Sequence, residues 1–417
     1  MSASTAFGKD VVVVGGCGHV GLPLGIAMAE AGLSVVLFDT NETVVDQVCS
    51  GKMPFLEEGA DEMLERLVGT GQLSASADAA VVSEAEQVVV VVGTPVDDHL
   101  NPDPRAVSSA IATLLPQLRD GQLLVLRSTV YPGVTATVER LIATSGLDID
   151  VSFCPERIAE GRALVELREL PQIVSARTER GVRRAEELFS HLTDTTIVLE
   201  IEEAELAKLF TNTWRYIKFA AANQLYMIAN DYGLDFERIR SALGQQYPRA
   251  ADMPGPGFAA GPCLLKDTMQ LAAFNNNNFL LGHASMMINE GLPLYVVARL
   301  EQRFDLSTMT IGILGMAFKG ESDDIRSSLS YKLKRLLRFK AGRVLCTDPY
   351  VQHDDDLAPL GQVLAESDLL LIGAPHRAYA GLDSGLDSGL DSGRGSGPRP
   401  DTPIIDIWNL LGNGVRV

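Results

Sequence analysis

Val11-Val-Val-Val-Gly-Gly16-Cys-Gly18-His-Val-Gly21-Leu-Pro-Leu-Gly-Ile-Ala-Met-Ala-Glu-Ala31-Gly-Leu-Ser-Val-Val-Leu-Phe-Asp39 decides the fold class of this chain. Val11 to Val14 is a continuous β-branched run, which reads as a buried strand. Leu22 to Ala31 reads as a helix closed by Gly32, and Ser34 to Phe38 as a second strand ending on Asp39. This is a βαβ unit. Gly16, Gly18 and Gly21 match G-x-G-x-x-G at the strand-to-helix turn. The first glycine permits the tight turn, the second lets a pyrophosphate approach the backbone, and the third lets helix pack on strand. The helix start offers N–H groups to phosphate. Asp39, 18 residues after Gly21, is placed to bond ribose hydroxyls. Its charge repels a 2′-phosphate, so the expected cofactor is NAD rather than NADP. A glycine turn without a ligand is the plainer alternative, and the strand, helix and Asp39 argue against it. Cys17 and His19 fill variable slots and are assigned no chemistry.

Working outward, Gln87 to Val92, Leu123 to Arg127 and Asp150 to Cys154 read as strands. The helical patterns Arg105 to Leu118 and Val134 to Thr144 lie between them. Such alternation predicts a parallel, doubly wound sheet. Gly93-Thr94-Pro95 and Arg127-Ser128-Thr129 end two of its strands. Ligands of this fold bind beyond the carboxyl ends of strands, which makes Thr94 and Thr129 candidate cofactor contacts. Ordinary turn residues would look the same.

From Glu202 to Tyr232 runs one helical pattern without Pro or Gly. At ~1.5 Å per residue it spans roughly 45 Å. It is apolar around much of its circumference, which predicts burial between domains or subunits. From Thr308 the α/β alternation restarts. Thr310 to Leu314, Arg343 to Cys346, Asp368 to Ile372 and Ile404 to Ile407 read as strands and Ser330 to Phe339 as a helix. The expected class is therefore α/β: two Rossmann-type domains with parallel sheets, joined by a long central helix and a helical middle domain. The expected boundaries are 1–200, 201–304 and 305–417. Leu-Asp-Ser-Gly occurs three times within 382–393, and residues 382–400 are expected to form a flexible loop. A calcium-binding repeat lacks its required glycine spacing here.

Composition bounds the partners. The 417 residues carry a net charge of −19, which repels nucleic acid backbones. Any phosphate site must be built locally from Lys, Arg and backbone N–H groups. No apolar run reaches a membrane span and the first ten residues carry no apolar leader, so a cytoplasmic location is expected. The five scattered cysteines form no CxxC pair, which fits a reducing compartment and argues against structural zinc; no metal is expected.

Three further stretches suggest chemistry. Gly255-Pro-Gly257-Phe-Ala-Ala-Gly-Pro-Cys263-Leu-Leu-Lys266-Asp267 leads a glycine-rich loop into a helix start at Cys263. The helix dipole stabilises a thiolate there. Asp267 lies one turn on, on the same helix face. A small buried cysteine in a tight loop is the alternative. On the long helix, Lys208, Asn212, Arg215, Phe219 and Asn223 recur at steps of four or three. Polar groups on a buried helix need partners, either a ligand or a structural network. Cys154-Pro-Glu156-Arg157-Ile-Ala-Glu160-Gly161 follows a strand and sets two carboxylates four apart, at a site or in a solvated loop.

In their order along the chain, these motifs resemble the UDP-glucose/GDP-mannose dehydrogenases, the nucleotide-sugar 6-dehydrogenases. The resemblance adds Pro132-Gly133 and Gly315-Met-Ala-Phe-Lys319 with Asp323-Asp324-Ile-Arg326. It implies a four-electron oxidation of a sugar C6 alcohol to the uronic acid by two NAD. Cys263 would hold the carbon first as a thiohemiacetal and then as a thioester. By the same resemblance Lys208 would stabilise an oxyanion. Asp267 and Asn212 would position or activate water, with Glu160 and Thr129 assisting. Glu156 aligns with the first carboxylate of the family's Pro-Glu motif, and Glu156, Arg157, Lys208, Asn212 and Gly257 fall among the substrate positions. Arg249 would reach the sugar nucleotide of a neighbouring subunit, Lys319 would contact substrate, and Arg326 the cofactor. The C-terminal domain would hold the nucleotide diphosphate, and the long helix would form the core of a homodimer or larger homo-oligomer.

The chain departs from the pattern in three places. Ala260-Gly-Pro-Cys263 stands where the glucose-oxidising branch has Gly-Gly-Ser-Cys. Cys154-Pro-Glu-Arg157 is closer to the N-acetylhexosamine branch, which tilts the expected substrate toward a UDP-N-acetylhexosamine, with UDP-glucose next. The Leu-Asp-Ser-Gly repeat lies outside the pattern. Two other functions compete: a two-electron hydroxy-acid dehydrogenase, which needs neither Cys263 nor a second Rossmann domain, and a catalytically silent nucleotide-sugar-binding regulator. Intact Cys263, Lys208, Asn212 and Asp267 argue against the regulator.

Overall fold

A computed structural model describes residues 7–94, 96–97, 103–382, 398–399, 402–415 and 417. The Leu-Asp-Ser-Gly repeat lies outside the described residues after Leu382, and so does the loop expected there. The chain divides into two compact units, Met1–Thr211 with Met269–Asn277, and Asn212–Thr268 with Asn278–Val417.

The first unit runs β1 (Lys9–Val14), α1 (Gly21–Glu30), β2 (Val35–Phe38), α2 (Glu42–Cys49), α3 (Ala60–Thr70) and β3 (Leu73–Ser76). It continues with β4 (Ala85–Val90), α4 (Ala106–Leu114), β5 (Leu123–Leu126), α5 (Val134–Ser145) and β6 (Asp150–Phe153). It closes with α6 (Ala163–Glu169), β7 (Gln172–Ala176), α7 (Glu179–Ser190) and β8 (Thr196–Val198). The strands form one sheet in the order β3-β2-β1-β4-β5-β6-β7-β8. All neighbours are parallel except β6 and β7.

Alternation along these strands explains why they read as unbroken apolar runs. Successive side chains point to opposite faces, and a parallel sheet is covered on both. Val11, Val13, Val35, Leu37, Val89, Leu123 and Val125 enter one core with Leu24 and Met28 of α1. Val12, Val14, Val36, Phe38, Val88, Val90, Leu124 and Leu126 enter another with Ile111 of α4 and Val138 of α5. The order of strands reverses between β1 and β4, so the turns after these two strands flank the switch point where such sheets bind ligands.

The helix α8 (Ile201–Asp231) starts in the first unit and continues into the second. The second unit adds α9 (Phe236–Gly244), the start of α10 (Leu264–Phe274), whose residues from Met269 on belong to the first unit, α11 (Leu280–Arg303), β9 (Thr310–Leu314), α12 (Leu329–Arg338) and β10 (Arg343–Thr347). It ends with α13 (Leu360–Glu366), β11 (Leu369–Ile372) and β12 (Ile404–Ile405). Its sheet is parallel, in the order β10-β9-β11-β12. Ile311, Ile313, Leu369 and Leu371 pack with Leu333 and Leu337 of α12 and with Leu292, Val296 and Leu300 of α11. Leu314, Leu345 and Leu370 face the other way, onto Val363 and Leu364 of α13. Two sheets of this kind establish the α/β class expected from the sequence.

Candidate active site

The dinucleotide turn is built as the glycine spacing requires. The Gly15 and Gly16 amides both donate to the Phe38 carbonyl, at 2.9 and 3.0 Å, which ties the turn to the end of β2. A Cβ on Gly16 would lie 2.6 Å from the Val13 carbonyl oxygen, and one on Gly21 only 2.4 Å from that of Gly15. Both contacts are with backbone and leave no room for a side chain. Gly18 is different: it is exposed, and nothing approaches its Cβ position closer than 3.8 Å. This is the open side a pyrophosphate needs. Val20 has no polar side chain to cap α1, so no side chain competes with an anion there. Asp39 sits over the turn, accepting from the Cys17 amide at 3.1 Å and the Asn41 amide at 3.1 Å. The residues present therefore fit a dinucleotide with unphosphorylated ribose.

Beside this turn, the ends of β4 and β5 are stitched together: the Ser128 hydroxyl donates to the Val92 carbonyl at 2.8 Å. Thr94 is buried and Thr129 half-buried at these two ends. The loop after Thr129 is held from α8. Buried Glu205 accepts from the Gly133 amide at 2.7 Å and the Thr135 amide at 2.9 Å. Lys208 follows one turn later on the same helix and is also buried.

The loop after β6 carries Glu156, Arg157 and Glu160. Glu156 is buried and committed within the fold. Its Oε2 accepts from Arg127 Nε at 2.7 Å, and its Oε1 accepts from the amides of Arg157 and Ile158. Arg127 also donates to the Cys154 carbonyl at 3.2 Å and Gln172 at 2.9 Å, and lies over the Phe189 ring. Glu156 thus anchors the loop, and Glu160, half-buried, lies four residues beyond. Arg157 is half-buried, its guanidinium on the Pro171 carbonyl, and burial lowers its pKa.

The second unit carries the cysteine. Cys263 is exposed and immediately precedes α10, its carbonyl accepting from the Asp267 amide at 2.9 Å. Asp267, one turn on, is fully buried. Asn212 Nδ2 donates to its Oδ2 at 2.5 Å, and Lys266 Nζ lies 3.2 Å from its Oδ1. Among the five cysteines this position is singular. Burial pushes the Cys17 thiol up to about 12, and those of Cys154 and Cys346 up to about 11. Cys49 is exposed but ends α2, where the helix dipole opposes an anion. Cys263 alone combines exposure with a helix start.

The buried line on α8 runs through Lys208, Asn212, Tyr216 and Asn223; Arg215 is exposed and Phe219 half-buried. The helical repeat favours Tyr216 over Arg215 for the step after Asn212. Asn223 serves the glycine loop, accepting from the Gly257 amide at 2.9 Å and donating to its carbonyl at 3.0 Å. Two aromatic side chains complete that loop. The Trp408 ring fills the space where a Gly257 Cβ would stand, 2.3 Å from its Cζ3. Phe318 does the same at Gly261, which has φ of 100°. Lys319 holds its ammonium 5.8 Å from the Phe318 ring centre, and Arg326 folds onto buried Asp324 at 2.6 Å. Arg249 is exposed and stacks over Tyr247.

Sequence reasoning missed Glu57, Glu205, Phe318 and Trp408 as supports of these loops. Arg127 had a visible signal, a charged residue closing a fully buried strand. Among the described residues no cluster of His, Cys, Asp or Glu could hold a metal ion, and no helix is long and apolar enough to cross a membrane.

Three domain models of the UDP-glucose/GDP-mannose dehydrogenase family match in order: the NAD binding domain over residues 9–193, the central domain over 202–290 and the UDP binding domain over 312–412. The chain belongs to this family. Its class is thereby fixed as NAD-dependent nucleotide-sugar dehydrogenase, with NAD as cofactor. A UDP-N-acetyl-D-mannosamine dehydrogenase of Pyrococcus horikoshii is 29% identical over 385 residues, covering 89% of this chain and 91% of that protein. The solved structure of UDP-D-ManNAc dehydrogenase from Pyrococcus horikoshii superposes with a TM-score of 0.82 at 28% identity, covering 90% of this chain and 92% of that one. A UDP-glucose dehydrogenase structure from Pyrobaculum islandicum superposes with a TM-score of 0.85 at 26% identity, covering 100% and 98%.

Proposed function

We propose that this family member oxidises the C6 alcohol of a UDP-N-acetylhexosamine to the uronic acid through a covalent Cys263 intermediate. The observation that carries this reading is Cys263 exposed at the start of α10, above an Asp267 held by Asn212 and Lys266. Gly16, Gly18, Gly21, Asp39, Thr94, Thr129 and Arg326 are the residues proposed to hold the cofactor. Bound NAD supplies the hydride acceptor, twice per turnover.

The alcohol loses a proton and a hydride to become the aldehyde. The Cys263 thiolate adds to that carbon, and protonation of the oxygen gives a thiohemiacetal. Loss of a second hydride and a proton leaves a thioester. Water adds to the thioester carbonyl, the carbon–sulfur bond breaks, and the thiolate returns. The balance is RCH₂OH + 2 NAD⁺ + H₂O → RCOO⁻ + 2 NADH + 3 H⁺. Covalent capture keeps a reactive aldehyde from escaping between the two oxidations. Lys208 stabilises the oxyanion that forms when sulfur or water adds. Asn212 helps position the attacking water and Asp267 takes its proton, with Glu160 and Thr129 assisting. Arg157, Gly257 and Lys319 contact the sugar nucleotide, and Glu156 acts by holding its loop through Arg127. The three functional segments are an NAD domain at 1–200, a helical domain at 201–304 and a nucleotide-sugar domain at 305–417, in a cytoplasmic setting.

The N-acetylhexosamine assignment is supported by Cys154-Pro-Glu-Arg157, by Pro262 in the cysteine loop and by the relatives named for UDP-N-acetyl-D-mannosamine. The test is stoichiometry across four substrates: UDP-N-acetylmannosamine, UDP-N-acetylglucosamine, UDP-glucose and GDP-mannose. Two NADH per UDP-N-acetylhexosamine consumed is expected, with slower turnover of the other two. One NADH per substrate would sink the four-electron reading.

A homodimer built on α8 completes the proposal. The helix exposes Phe210, Trp214, Leu225 and Ile228, with Trp214 at 57% exposure, and Tyr232 just after its end is 79% exposed. Apolar area of this kind on a long helix is suited to a second copy of the chain, which would bring its Arg249 to the substrate. Light scattering is expected to give a dimer or larger for the wild type and a monomer for Trp214→Glu with Ile228→Glu. An unchanged mass would reject α8 as the interface.

A further inference from the structure

We infer that Glu57 is a positioning residue that sets the Glu160 loop against the dinucleotide turn, an assignment resting on the proposed role of that loop. Glu57 is 2% exposed, in the segment between α2 and α3. Its carboxylate reaches about a hundred residues along the chain. Oε2 accepts from the Gly161 amide at 2.8 Å, and Oε1 accepts from the Ala163 amide at 2.6 Å. Gly161 directly follows Glu160, Ala163 lies three residues beyond it, and the Leu164 amide also approaches Oε1, at 3.4 Å. The loop turns at Gly161, which has φ of 80°, a conformation glycine adopts readily. Ala159, before Glu160, donates its amide to Glu166 at 2.7 Å, so the backbone is fixed on both sides of the carboxylate.

The same segment also touches the cofactor turn. Phe55, two residues before Glu57, stacks on His19 with ring centres 4.0 Å apart and planes at 28°. His19 stands between Gly18 and Gly21. Met53 and Phe55 further pack on the core shared with Leu24 of α1, and Leu164 and Leu167 of α6. One short strap therefore bears on the glycine turn through a ring and on the Glu160 loop through a carboxylate. The two contacts differ in kind and are separable. The ring governs the turn that receives phosphate. The carboxylate governs the path of the backbone that carries Glu160.

A carboxylate accepting from two amides cannot be matched by an amide side chain, whose NH₂ would face one of the donors. Glu57→Gln is expected to lower kcat about 10–100-fold, the range of one or two lost charge-assisted hydrogen bonds. NADH affinity, read by fluorescence titration, is expected to stay within about twofold. Glu57→Asp keeps the charge and is expected to recover part of kcat. Phe55→Leu is expected to show the opposite split, weaker NADH binding with kcat retained. Amide hydrogen exchange supplies a readout that needs no substrate. Glu57→Gln is expected to accelerate exchange at 159–164 while the amides of 15–21 keep their protection. Unchanged kcat and unchanged exchange in Glu57→Gln would overturn the assignment, and so would a parallel loss of NADH affinity and kcat. If wild-type protein oxidises no nucleotide sugar, the functional reading fails, while the exchange result still decides the role of Glu57.

Discussion

Cys263→Ala is expected to reduce uronic acid formation by roughly 10³-fold or more, the usual cost of deleting a covalent nucleophile. The proposed cofactor cradle, Gly16, Gly18, Gly21, Asp39, Thr94, Thr129 and Arg326, does not include Cys263. NADH affinity is therefore expected to change by less than about twofold, because the substitution removes no cradle contact. The matched control is Cys49→Ala, which alters the other exposed thiol and should retain full activity. Product analysis separates the mechanisms. A hydroxy-acid-type, two-electron enzyme would not need the sulfur, and its Cys263→Ala variant would keep a rate near that of wild type. That outcome would dismiss covalent capture.

Arg127→Met is expected to cost about 3–5 kcal/mol of stability, since it leaves the buried Glu156 carboxylate without its cation. Both partners are nearly inaccessible, with side-chain exposures of 1% and 9%. Methionine approximates the length of the aliphatic stem and can still meet Phe189. The loss would then reflect charge and hydrogen bonds more than volume. Gln172 and the Cys154 carbonyl lose donors in the same step. Replacing both members, Arg127→Met with Glu156→Leu, is expected to recover much of the stability, because no uncompensated charge remains. Urea unfolding of the three proteins measures this. A single-variant loss below about 1 kcal/mol would mean that water reaches Glu156 and the pair is not truly desolvated.

The sequence was readable where side-chain periodicity carries the structure. β1, α1 and β2 announce themselves because four consecutive apolar residues, a spaced set of glycines and a terminal aspartate have few other uses. The second Rossmann-type sheet was legible for the same reason. β3 was not, because Leu73-Ser-Ala-Ser76 holds one large apolar residue and gains its place from β2. The antiparallel step from β6 to β7 has no local signature at all, since pairing direction depends on where the chain returns. Within the site, Cys263, Asp267 and Asn212 could be nominated from residue type and spacing, and the two buried polar residues do meet. Arg215 illustrates the limit of counting by threes and fours, for the neighbouring Tyr216 takes the buried step. Glu57 and Glu205 bind backbone amides far along the chain, and any residue except proline supplies an amide. No pattern in the partner segments could have pointed back to them. Phe318 and Trp408 escaped for a related reason: their partners are glycines, whose absent side chains leave nothing to match.

The burial of Cys17, Cys154 and Cys346 divides the sulfur atoms into two populations. A maleimide or alkyl iodide at neutral pH meets only the surface population while the chain is folded. Loss of the native state releases the other three. Modification of this protein is thus expected to report two events on two clocks: inactivation through the proposed nucleophile Cys263, and a slower uptake of label as the two Rossmann cores open.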